Sequence, residues 1–190
     1  MVDFQNLLNK YKIKADINML LDMWCESHRH YHNIEHLNDL VSQINEKYES
    51  NKIDEKQKEL LSLVALFHDI IYEPGRFDNE ERSADFFQSL CEDKASKDIL
   101  TVKIAILDTK EHNCEFPLSE MFNKLDMSIC ESNFDRLVEW EKGIGSEYVP
   151  VFGELTYIEG RIGYLESLLD KYPNNSDNLL KLIDWIAENY

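Results

Sequence analysis

At 190 residues, 43% of them hydrophobic, the chain is long enough for one compact domain with a real core and too short for two comfortable ones. Its 37 acidic against 20 basic residues give a formal charge of −17, a field that repels long nucleic acid and anionic membrane surfaces. A small phosphorylated metabolite stays admissible, because a divalent cation reverses the sign of the field locally.

No window approaches the roughly 18 uninterrupted apolar residues of a membrane span, and the N-terminus lacks a signal-peptide core. A cytoplasmic protein is expected, with Cys25, Cys91, Cys114 and Cys130 as reduced, packed thiols. Apolar residues recur at three- and four-residue spacing almost throughout, which predicts an all-α fold, a single-domain helical bundle over residues 1–190. In chain order, helices are expected from Asp16 to Ser27 and from Ile34 to Tyr48. The most apolar helix follows, with Leu60, Leu61, Val64, Phe67, His68 and Ile71 on one face. Tyr72-Glu73-Pro74-Gly75-Arg76-Phe77 then breaks the pattern, and Asp78 with Glu81 reads as a capping box opening a helix to about Cys91. Further helices are expected from Ser96 to Thr109, Leu118 to Cys130, Asn133 to Glu141, Pro150 to Lys171 and Ser176 to Glu188. The last carries a stripe of Leu179, Leu180, Ile183 and Ile186, with Trp185 as an interhelical plug. Disorder is expected only at the extreme ends and over Glu49 to Lys56.

Four of the six histidines fall in the stretch HRHYHNIEH, from His28 to His36. His32 and His36, four apart, share one face of a helix start. His68-Asp69 sits near the end of the most apolar helix, where a polar pair costs several kcal/mol to bury without partners. Asp126 lies among apolar neighbours in KLDMSIC. Converging from separate helices, these groups make a divalent metal site of mixed nitrogen and oxygen ligands. Taken singly, each has a plainer reading: a core histidine is more often hydrogen-bonded than metal-bound, and a mid-helix aspartate is usually solvated or a cap. The same stretch also spells H-x-x-E-H, the signature of inverted zinc peptidases, with His32 and His36 as ligands and Glu35 as base. That reading gives no role to His68, Asp69 or Asp126.

Tyr31-His32-Asn33-x-x-His36, then Phe67-His68-Asp69, then a distant Asp126 resembles the HD superfamily of metal-dependent phosphohydrolases. The strings RHYHNIEHL, ALFHDIIYEPGRFDNEERSA and LDMSI are similar to a bacterial branch described as predicted metal-dependent HD phosphohydrolases, over roughly Cys25 to Pro173. The resemblance implies an HD-type helical bundle in which His36, His68, Asp69 and Asp126 are the metal ligands, and Asp69 bridges if two ions bind. His32 then stands where related cyclic-nucleotide phosphodiesterases place a proton donor. Lys124 and Leu125 depart from the branch, which often has another Asp and a small residue there. The implied activity is hydrolysis of a small phosphoester, a nucleotide among the candidates, with Mn, Mg, Co, Ni, Fe or Zn as cofactor. Such a site lowers the pKa of water and polarises a phosphoryl oxygen. The rival from another class is a catalytically idle HD bundle that binds a nucleotide or a protein as a regulatory module. Assembly into a homo-oligomer is compatible with either.

Outside the ligand set, Glu80 is a candidate for orienting attacking water, while Asp78 and Glu81 serve equally well as helix caps. Lys110 and His112 follow a helix end, where they suit a phosphate, a second metal or simply the helix dipole. Arg29 and Arg161 have the fork geometry for phosphate oxygens, with a solvated surface role as the default. His28 and His30 are expected at the surface.

Overall fold

A computed structural model describes residues 2–112 and 116–190. Among these, every regular element is helical and no strand occurs, apart from one isolated antiparallel bridge between Ile13 and Cys91. The all-α expectation is met; Cys114 lies outside the described residues. Among the described residues, no helix is long and apolar enough to cross a membrane.

The chain divides into two compact units, residues 1–126 and 127–190. The first holds α1 (Phe4–Lys10), α2 (Ile17–Trp24), α3 (Ile34–Glu49), α4 (Glu55–Phe67), α5 (Asn79–Leu90), α6 (Lys97–Asp108) and α7 (Pro117–Asp126). The second holds a 3-10 turn (Met127–Glu131), α8 (Phe134–Phe152), α9 (Glu154–Leu169), a short 3-10 turn (Pro173–Asn175) and α10 (Ser176–Asn189).

In the first unit α4 is the axis. Every residue from Leu60 to Phe67 is buried, so the helix is not amphipathic with one inward face but enclosed all round, by α3, α5, α6 and α7. It opens on a complete capping box: Asp54 accepts from the Gln57 amide at 2.8 Å and Gln57 Oε1 accepts from the Asp54 amide at 2.9 Å. This overturns the expected disorder over Glu49 to Lys56. There the chain turns tightly, with Asn51 at φ +55 and the Lys52 amide on the Lys47 carbonyl, and Ile53 is buried as an anchor. α1 was not expected at all; Asp3 caps it from the Asn6 amide, and Leu7 and Leu8 join the core.

Three further boundaries and one cap differ from expectation. α4 ends at Phe67 rather than Ile71, leaving His68 and Asp69 just beyond the helix. No capping box opens α5: Asp78 forks onto Arg76 at 2.7 and 2.8 Å and Glu81 pairs with Lys110 at 2.6 Å, because a cation outcompetes a neutral amide for a carboxylate. α7 stops at Asp126, where a 3-10 turn takes over, so Asp126 is a helix-end residue. In the second unit α8 runs on to Phe152 where a helix ending at Glu141 was expected, and α9 begins at Glu154 rather than Pro150. Pro150 falls in the last turn of α8 without ending it, and the break comes at Gly153, at φ +77. Gly145 inside α8 makes room for Tyr190, whose Oη lies 1.9 Å from where a Cβ would stand.

α10 buries Leu179 and Ile186 of the expected stripe, with Leu182 beside them, while Leu180 is exposed and Ile183 and Trp185 are half-buried. Cys91 and Cys130 are buried as expected, whereas Cys25 is exposed at the end of α2.

Candidate metal centre

Asn33 caps α3 by accepting from the Glu35 amide at 2.8 Å, which places His36 in the first turn and buries it. His32 is not on that helix but in the turn before its cap, its ring centroid 6.1 Å from that of His36. His68 caps the C-terminal end of α4 and Asp69 follows it. Asp126 arrives on the last residue of α7. Three segments far apart in sequence thus deliver four ligand-type side chains to one place.

His68 Nε2 is the hub. It lies 3.4 Å from His36 Nε2, 3.1 Å from Asp69 Oδ2 and 3.7 Å from Asp126 Oδ1. Asp126 Oδ1 is also 3.0 Å from His36 Nε2. Ligand atoms of His36, His68 and Asp69 all fall within 4.8 Å of one another, a spacing that a single cation can span. His68 Nδ1 sits 3.1 Å from the Ala65 carbonyl, so Nδ1 carries the proton there and Nε2 is turned to the cluster.

The electrostatics are those of a site short of positive charge. Burial pushes the His68 imidazole down, yet the Asp69 and Asp126 carboxylates overrule it and hold the ring up at about 9. Burial raises Asp69, but His68, and behind it His32, pull its carboxyl well below the usual range. Asp126 is likewise depressed against burial, through hydrogen bonds from His112 and His36. An ion held by these residues would take the place of a proton on His68 Nε2 and would face two ionised carboxylates.

Of the outlying candidates, His112 reaches the cluster, its Nε2 3.0 Å from Asp126 Oδ2. Its backbone is held at φ +46, an uncommon conformation for a side-chain-bearing residue. Glu80 is half-buried, and burial, with Asp69 adding to it, raises its pKa. Lys110 is exposed and engaged by Glu81 and by the Phe77 carbonyl at 2.5 Å.

The two arginines overturn the surface default. Arg29 is buried, its guanidinium held by one carboxylate and three backbone carbonyls. Arg161 is buried in the second unit, its Nε on Glu141 Oε2 at 2.7 Å. All three nitrogens of Arg29 are engaged, so it offers no fork to a solvent-borne ligand. Glu35, the base of the peptidase reading, is exposed, as are His28 and His30.

Two site residues escaped the sequence reading. Trp24 flanks the cluster, its ring centroid 5.6 Å from His68 and 6.5 Å from His36, and its indole donates to the Leu66 carbonyl. Tyr72 packs on His32 with centroids 4.3 Å apart. The only signal for either was an aromatic residue close to a histidine motif. In comparisons with known proteins, no family model, no curated protein and no solved structure matches the chain.

Proposed function

We propose that the first unit is an HD-type metal-dependent phosphohydrolase that holds a divalent ion on His36, His68, Asp69 and Asp126 and cleaves a small phosphoester. The observation that carries this reading is the convergence of two imidazole nitrogens and two ionised carboxylates around His68 Nε2, with distances of 3.0 to 3.7 Å between neighbours. Buried acids and bases are costly, and a cluster of metal-ligand type whose pKa values are strongly perturbed is a functional-site candidate. Two imidazoles and two carboxylates form a donor set that suits several divalent ions.

A divalent ion bound there supplies the positive charge that acidifies water and polarises a phosphoryl oxygen. The protein's own groups handle the protons. Glu80, with its carboxyl raised by burial, accepts a proton from the attacking water as the new P–O bond forms. His32 donates a proton to the departing oxygen as the ester P–O bond breaks. Its place against Tyr72 and within the field of Asp69 puts it at the edge of the cluster.

Metal analysis of protein purified without chelator, followed by a metal-supplemented screen of phosphorylated metabolites, tests the proposal. The expected result is bound divalent metal and metal-dependent phosphate release that Asp69→Ala abolishes. Protein that neither retains nor is stabilised by Mn²⁺, Co²⁺, Ni²⁺ or Mg²⁺ overturns it. Metal bound without turnover of any phosphoester assigns the site to sensing instead.

A further inference from the structure

Arg29 is a buried side chain with every guanidinium nitrogen engaged. Its Nη1 donates to two carbonyls, of His32 at 3.1 Å and of Asp69 at 2.7 Å; Nη2 donates to the Ile70 carbonyl at 3.1 Å and Nε to Glu26 Oε2 at 3.0 Å. Its two ring neighbours are Trp24 and Tyr72, with centroids 5.5 and 5.4 Å from Cζ. Tyr72 in turn lies against the His32 ring.

The carbonyls it grips belong to two stretches without helical structure, the turn before α3 and the segment just past α4. Neither has a ladder of its own to fix it. A buried guanidinium is expensive, and only its planar fork binds several carbonyls at once while packing against aromatic rings.

From this geometry we infer that Arg29, with Tyr72, is a positioning device that fixes the His32 segment against the Asp69 segment. It thereby sets the place of the proton donor relative to the metal ligands. Arg29 touches neither substrate nor ion; it acts through the backbone of His32 and Asp69 and through the Tyr72 ring. The catalytic consequence rests on the phosphohydrolase reading, whereas the clamp itself does not.

The test pairs kinetics with hydrogen exchange. In metal-free Arg29→Lys, amides around residues 30–33 and 69–72 are expected to lose protection together, while those of α4 keep theirs. In the metal-loaded variant, kcat is expected to fall about 10- to 100-fold with KM within about twofold and metal stoichiometry unchanged, as a displaced catalytic group demands. Tyr72→Leu, which spares the carbonyl bonds, is expected to lower kcat in the same way. Unchanged exchange in both segments of Arg29→Lys overturns the clamp whatever the activity. If Arg29→Lys fails to fold, a folded Tyr72→Leu turning over at the wild-type rate overturns it instead. A wild-type protein with no phosphohydrolase activity but paired loss of protection in Arg29→Lys sinks the catalytic reading and keeps the clamp.

Discussion

The two units each bury a knot of ionisable groups, and they do so in opposite ways. In the second unit Glu141 is closed on all sides: it accepts from Tyr157 Oη and from Arg161 Nε, and the Arg161 guanidinium lies 4.2 Å from the Trp140 ring centroid. One anion meets one cation and the charge is settled within the unit. In the first unit two carboxylates share imidazoles, while the buried Arg29 guanidinium is taken up by Glu26 and by backbone carbonyls. The first arrangement is what a fold needs; the second leaves negative charge seeking a counter-ion. Buried charge alone is therefore a poor pointer to function, and the sign of what remains after pairing is a better one.

This contrast can be broken at several points. The largest effect is expected from Glu141→Gln, which strands Arg161 without a counter-charge and should cost about 3–5 kcal/mol in urea unfolding. The double replacement Glu141→Leu with Arg161→Met should recover much of that loss, as befits a purely structural pair. Next, a divalent ion at about 100 times its Kd should stabilise the protein by about 2.7 kcal/mol, and His36→Ala should abolish the gain. Equal stabilisation of the variant would place the ion elsewhere.

A pH series on chelator-treated protein comes third. His68 is raised from 6.5 to about 9, so its contribution is complete below 6.5 and lost as pH rises through about 9. Asp69 is depressed, so its contribution is present above 3.8 and lost as pH falls. The contribution of this pair should therefore peak between 3.8 and 6.5. Saturating metal should move the optimum upward, since it binds imidazole only after the proton leaves. The smallest effect belongs to Arg76→Ala, which removes a solvent-exposed pair with Asp78 and should leave the urea midpoint where it was.

Much of this was legible in the chain. Helical spacing located nearly every element, and the spacing His32, His36, His68-Asp69, Asp126 named the residues that converge. What spacing does not carry is the outcome of competition between partners. Asp78 looked like a cap because its local sequence suits one, but Arg76 two residues earlier binds it more strongly. Arg29 and Arg161 looked like surface forks because arginine usually is one; a buried role depends on carbonyls and rings supplied by distant segments. Pro150 suited a helix start on its own, yet α8 runs through it, and Gly153 three residues on marks the boundary.

Trp24 gives the molecule an optical gauge of its own. Its indole lies within 6.5 Å of both imidazoles at the cluster, closely packed and held by Leu66. A paramagnetic ion seated there would quench its emission. Because Trp140 and Trp185 also emit, Trp24→Phe isolates the responsive share of the signal. Occupancy can then be followed in real time by fluorescence alone, before any substrate has been identified.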